Sequence, residues 1–297
     1  MSIIEQATRR LEQLEQAGLA VPRATAAAKA PTVRALPRVD AIHPEARDQP
    51  NGMTGGPRRP IVELDLDALK RFGWLGAHHA GSSIPEEFRQ IKRPLLRNAR
   101  GAESSDGRLS LIMVTSALPG EGKTFTAINL AMSLALEIDT SVLLIDADVI
   151  RAELPKRLGF HADEGLLDLL GDPSLAWTDL VRETNVPKLS VLPAGRRSAV
   201  STELLVSDAM ATLLDSLAAA GRDRIVVFDA PPLLVTSEAK VLASWVGQVL
   251  LVVEAAATPR RAVAQALTEL EKCPLVMSVL NKSSEARAPY GYGEYAG

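Results

Sequence analysis

The chain has 297 residues, 46% of them hydrophobic but only 4% aromatic, and carries a net charge of −3 at pH 7. That allows a sizeable core, built from aliphatic side chains as in buried parallel sheets, and gives no global attraction to nucleic acid. A single cysteine, Cys273, excludes an internal disulfide and any CxxC site and fits a reducing compartment, and the histidines (His43, His78, His79, His161) show no HExxH-type spacing.

In chain order, the opening "MSIIEQATRR" lacks the apolar run of a signal peptide. Residues 3–19 place Ile3, Ile4, Ala7, Leu11, Leu14 and Leu19 at near-helical spacing and stop near Gly18. The pattern predicts a helix, either solvated and marginal or docked on a partner. Residues 21–60 are rich in Pro, Ala, Arg and Gly and contain no Phe, Trp or Tyr, a linker composition. "IVELDLDALKRFGWL", 61–75, reads as a short strand or helix that docks on something.

From Ser83 the texture changes. Ser83 and Glu86 form a capping-box pattern with Pro85 in the first turn, opening a helix with a kink expected at Pro94. Aliphatic runs then follow at 109–116, 141–148, 188–193, 224–232, 247–254 and 274–281. Helical patterns separate them, around 123–137, 202–221, 236–245 and 259–272. Short aliphatic strands alternating with helices predict an α/β fold: a mostly parallel sheet flanked by helices, with ligands at the carboxyl ends of the strands. No run approaches the roughly 18 apolar residues of a membrane span, so the expectation is a cytoplasmic protein.

The chemistry-bearing motifs fall at those strand ends. "ALPGEGKT", 117–124, matches GxxxxGK[ST] except that Ala117 stands at the first glycine. Small residues there let backbone N–H groups wrap phosphates at a helix N-terminus. Lys123 would reach the β- and γ-phosphates and the Thr124 hydroxyl would hold Mg²⁺. "VLLIDAD", 142–148, ends a strand with Asp146 and Asp148, and alternation puts both carboxylates on one side. Such a pair is either an ordinary turn or, beside a phosphate loop, a cation-binding and proton-accepting set. "IVVFDAPP", 225–232, delivers Asp229 from a third strand, with two prolines stiffening the exit. The last ten residues, "APYGYGEYAG", hold every tyrosine of the chain: Tyr290, Tyr292 and Tyr295. Interleaved with glycine and without apolar neighbours, they read as groups to be bound or modified rather than packed.

Together, the P-loop, "VLLIDAD" as a Walker A′ motif, "IVVFDAPP" as a Walker B motif and the tyrosine cluster resemble the bacterial tyrosine autokinases (BY-kinases), a branch of the P-loop ATPases. The resemblance runs from about Ser83 to the last residue, and is strongest to the subgroup of exopolysaccharide and exosortase loci. It implies ATP and Mg²⁺ as cofactors, with Pro119, Gly120, Glu121, Gly122, Lys123, Thr124, Phe125 and Asn281 at the nucleotide. It implies Lys123, Asp146 and Asp148 as catalytic residues, Thr124, Asp146 and Asp229 as Mg²⁺ ligands, and Tyr290, Tyr292 and Tyr295 as phosphoacceptors. Glu86, Arg89 and Lys92 match an ExxRxxR helix through which subunits form a ring, with Lys in place of the last Arg. The second departure is at Ile150, where DxDxR would place Arg; Arg151 follows it.

The implied partners are further copies of the chain, a membrane polysaccharide co-polymerase as activator and a phosphotyrosine phosphatase, with no nucleic acid. The chain would then be peripheral at the inner membrane. The expected organisation is an N-terminal docking helix and linker, 1–82, a P-loop kinase domain, 83–285, and a tyrosine tail, 286–297. The rival reading is a partitioning-type ATPase switch without kinase activity; that group carries a lysine where this chain has Leu118, and lacks the tyrosine cluster.

Overall fold

The six aliphatic runs all form strands of one eight-stranded sheet in the computed structural model, which describes residues 61–71, 84–101, 107–221 and 223–283. The helix expected over 3–19, the linker, the Ser83 cap and the three tyrosines lie outside the described residues. The strands are β1 (Ile61–Val62), β2 (Leu111–Ser116), β3 (Ser141–Asp146), β4 (Arg182–Thr184), β5 (Leu189–Leu192), β6 (Arg224–Asp229), β7 (Gln248–Glu254) and β8 (Leu275–Asn281). Their order is β1-β4-β5-β3-β6-β2-β7-β8, with every pairing parallel except β4 with β5.

The helices are α1 (Leu66–Arg71), α2 (Ile84–Arg100), α3 (Lys123–Ala135), α4 (Leu154–Leu158), α5 (Leu166–Gly171), α6 (Trp177–Leu180), α7 (Ser201–Leu204), α8 (Asp208–Ala219), α9 (Ser237–Trp245) and α10 (Arg260–Glu269). Strand alternation sorts the core into two layers. Met113, Ile145, Phe228 and Leu251 face a cluster with Leu214 and Leu217 of α8, Leu242 of α9 and Ala266 of α10. Their neighbours Ile112, Val114, Leu144, Val227 and Leu250 face the other way, onto Ile128 and Leu134 of α3, Phe88 and Leu95 of α2 and Leu69 of α1. Each such fully buried aliphatic side chain contributes about 1.5–3 kcal/mol.

Residues 61–71, read from the sequence as part of the N-terminal region, belong to this fold. Ile61 and Val62 pair with β4, Leu64 and Leu69 are buried, and the Asn185 carboxamide closes both backbone bonds of Leu64. Helix α2 continues through Pro94. It is tied to the sheet by the buried Gln248 side chain, which donates to Leu95 O and Leu109 O and accepts from Asn98.

Lys92 has a different place from the one its motif suggests. It is buried, donates to Ser133 O at 2.7 Å and pairs with Glu137 at 2.8 Å, locking α2 onto α3. Its charge is spent inside the chain, whereas Glu86 and Arg89 form an exposed pair one turn earlier. The Lys92 bond holds the Glu137 carboxyl below its ordinary value, against the opposing effect of partial burial. A depressed carboxyl stabilises the fold above its unfolded pKa, and that contribution is lost as pH falls through the folded value. Lys92→Met is therefore expected to cost about 1–3 kcal/mol at neutral pH. Denaturant melts should show the deficit shrinking as Glu137 protonates.

Candidate active site

The phosphate loop leaves β2 at Ala117, whose methyl is fully buried where a glycine was expected. Gly120 and Gly122 then take φ of 89° and 100°, the left-handed region that glycine adopts without strain. Gly122 caps α3, and a Cβ there would collide with the Asn281 carboxamide. The first amides of α3 thus sit at a helix N-terminus, where the helix dipole favours phosphate oxygens.

Strand order brings the carboxylates to this loop. Strand β6 lies between β3 and β2, so Asp229 is in register with Asp146 on one side and Val114 on the other. The exit from β6 is fixed to β2: Ala230 N–H donates to Val114 O, Leu233 N–H to Ser116 O, and the Thr115 hydroxyl to Pro231 O. Asp146, Asp148 and Asp229 are all buried.

Asp148 accepts from the Lys123 ammonium at 2.6 Å, a pair with only 8% and 4% of its side chains exposed. One Asp146 oxygen accepts the Leu154 N–H at 3.1 Å, and Asp229 accepts from the Thr124 hydroxyl. The other oxygens of Asp146 and Asp229 are buried with no hydrogen-bond partner. Burial pushes the Asp229 carboxyl up to about 6, partly opposed by Lys123 and Thr124. Asp146 is also raised well above its ordinary value, first by burial and then by the Asp229 charge beside it.

Two orphaned carboxylate oxygens and a hydroxyl are hard oxygen donors, suited to Mg²⁺. Among the described residues no group of three or more His, Cys, Asp or Glu side chains is placed to hold a metal ion. Mg²⁺ itself takes only one or two carboxylates and keeps waters and substrate phosphates. A cleft of about 550 Å³ opens beside the loop, lined by Gly120, Gly122, Lys123, Thr124 and Phe125 and by Arg151, Glu153, Lys156 and Arg157. Arg151 lines this cleft, while its neighbour Ile150 is exposed. Of its four basic groups Lys123 pairs with Asp148 and Arg157 with Glu153, so the excess positive charge of the cleft comes from Arg151 and Lys156.

Asn281 is also at the loop, with its amide donating to Glu121 O at 2.8 Å. Glu121 has a role the motif did not suggest: its buried carboxylate accepts from Leu118 N–H and from the Thr258 hydroxyl. Thr258 lies far along the chain, and no spacing rule would have paired the two.

The AAA domain family matches residues 110–279. Over 192 residues the chain is 33% identical to the tyrosine-protein kinase YwqD of Bacillus subtilis (strain 168), covering 64% of this chain and 79% of that protein. The chain belongs to the bacterial tyrosine-kinase family. A family relative of larger size, the succinoglycan biosynthesis transport protein ExoP of Rhizobium meliloti (strain 1021), is 35% identical over 211 residues, 68% of this chain and 25% of that protein. The chain spans only a quarter to a third of the length of several curated relatives it matches. Among solved structures of the family, the BceF tyrosine kinase domain has a TM-score of 0.59 at 27% identity, covering 74% of this chain and 91% of that one. Among the described residues, no helix is long and apolar enough to cross a membrane.

Proposed function

We propose that the chain is an ATP- and Mg²⁺-dependent protein-tyrosine autokinase that phosphorylates the Tyr290, Tyr292 and Tyr295 cluster of a neighbouring copy. The observation that carries this reading is the pairing of a phosphate loop and orphaned carboxylates with a chain whose only tyrosines are confined to 290–295. Bound Mg²⁺ would supply charge neutralisation for the phosphates. Lys123 and the loop amides would hold the β- and γ-phosphates, and the Thr124 hydroxyl with Asp146 and Asp229 would supply oxygens to the cation.

Arriving phosphates compete for the Lys123 ammonium, which otherwise pairs with Asp148. As Lys123 turns to phosphate, Asp148 is released to accept the phenol proton. The phenolate oxygen then bonds to the γ-phosphorus as the bond to the β,γ-bridging oxygen breaks, leaving ADP. Asp146 is less suited to that proton, because Asp229 lies beside it and Leu154 N–H occupies one oxygen.

By the same proposal the chain assembles as a ring through α2, where Glu86 and Arg89 are exposed. It acts in exopolysaccharide synthesis with a membrane co-polymerase as activator and a phosphotyrosine phosphatase as antagonist. Both the family and the name of the ExoP relative support this setting. Purified chain with ATP and Mg²⁺, with and without the activator's cytoplasmic segment, is expected to gain phosphotyrosine. The triple change of Tyr290, Tyr292 and Tyr295 to Phe should remove essentially all of it. ATP hydrolysis without phosphotyrosine in the native chain, even with the activator, would instead favour an ATPase switch.

A further inference from the structure

The phosphate loop is gripped from behind by the ends of β7 and β8, through contacts that phosphate chemistry does not use. Lys282 donates to Gly120 O at 2.8 Å and pairs with Glu254 at 3.0 Å. Asn281 donates to Glu121 O at 2.8 Å. The Thr258 hydroxyl donates to the Glu121 carboxylate and accepts Glu254 N–H at 3.0 Å. Glu121 in turn holds Leu118 N–H at 2.6 Å. Lys282 makes its contacts from a left-handed backbone conformation, φ 58°, unusual for a residue with a side chain. Ala255 N–H donates to Asn281 O at 2.8 Å and binds the two strand ends together.

The direction of these bonds matters because a trans peptide is planar, with its C=O and N–H pointing opposite ways. Drawing the Gly120 carbonyl towards Lys282 aims the Glu121 N–H away from it. Drawing the Glu121 carbonyl towards Asn281 does the same for the Gly122 N–H. Successive N–H groups turned to one side form the concave anion site on which a phosphate loop depends.

We propose that Lys282 and Thr258 are positioning residues that preset the loop's N–H groups for phosphate, so that nucleotide occupancy and the backbone at 281–283 stabilise each other. The proposal rests on the nucleotide-binding reading above. Binding energetics make the coupling reciprocal: whatever the grip adds to nucleotide affinity, nucleotide adds to the grip. Residues 281–283 lead directly to the tyrosine-bearing segment, so the coupling joins the donor site to the base of the acceptor.

The test uses the full chain, titrated with ADP and Mg²⁺ by calorimetry, and amide hydrogen exchange at 120–123 and 281–283 with and without ADP. Lys282→Met and Thr258→Val should each weaken ADP by about three- to tenfold, as loss of one charged or partly buried hydrogen bond would. Exchange at 120–123 should rise even without ADP, while exchange in the β2 and β6 core stays unchanged. Lys282→Arg should recover most of the affinity, since it keeps the charge and the donor. ADP should slow exchange at 281–283 in the native chain and not in Lys282→Met. Native affinity and native exchange at 120–123 in both variants would overturn the coupling alone. Failure of the native chain to bind ADP would overturn the nucleotide reading and the coupling with it.

Discussion

Lys123→Met is expected to reduce phosphotyrosine formation by about a thousandfold or more, the scale on which a preorganised charge acts in a water-poor site. The side chain is 8% exposed and its ammonium is within 2.6 Å of Asp148, so the change does more than remove a phosphate ligand. It leaves three buried carboxylates with no cation among them, and Asp148 without its partner. Breaking a buried pair from one side costs about 3–5 kcal/mol, so the variant should also melt well below the native chain. The double change Lys123→Met with Asp148→Asn separates the two effects. It should regain most of the stability and none of the activity, a non-additivity expected of groups in direct contact. Recovery of neither would mean that the melting deficit has another origin than the stranded carboxylate.

The second large effect has opposite signs for stability and function. Asp229→Asn is expected to raise the stability of the metal-free chain in mildly alkaline buffer while abolishing its response to Mg²⁺. Burial sets the Asp229 carboxyl at about 6, against an ordinary value of 3.8. A carboxyl raised by folding contributes its full stability below the unfolded pKa and loses it as pH rises through the folded one. Above that value the native chain carries a penalty of roughly 3 kcal/mol, from about two pKa units, and asparagine carries none. Melts without metal should find the variant ahead at about pH 8 and level with the native chain near pH 4. Adding Mg²⁺ and ADP should raise the native melting temperature and leave that of the variant nearly unmoved. A variant less stable at every pH would show that the Asp229 charge is already compensated inside the fold.

Much of the sheet could be read from the aliphatic runs, because β2, β3, β5, β6 and β7 are buried along most of their length, and β8, though half-exposed at the sheet edge, is as aliphatic as they are. Strand β4, "RET", carries no such signal: its three residues are held by edge pairing to β5 and β1. Helices α4, α5 and α6 are six residues or fewer, too short for a helical period to emerge. Residues 61–71 follow a linker-like stretch, and their place in the fold depends on Asn185, far along the chain.

At the site, the motifs pointed to Lys123, Thr124, Asp146, Asp148 and Asp229 one strand end at a time. Their mutual geometry came from strand order, which no local pattern encodes. Lys92 is instructive for the opposite reason. A lysine one turn from an exposed Glu–Arg pair reads as surface, yet the carbonyl of Ser133 and the Glu137 carboxylate satisfy it beneath the helix.

The position of β6 between β2 and β3 also bears on how the molecule is made. The phosphate loop and Asp146 are synthesised early, yet the strand that must fill the gap between their supports is more than a third of the chain later than β2. Until residues 224–229 have left the ribosome, β2 and β3 have no lateral partner in common and Asp229 is missing from the cation set. The central contacts are therefore of high contact order, a property that slows folding and prolongs exposure of aliphatic edges. A nascent or truncated chain ending before β6 would carry the phosphate loop and Asp146 but neither Asp229 nor the Thr258, Asn281 and Lys282 contacts to the loop, so full competence should appear only late during translation.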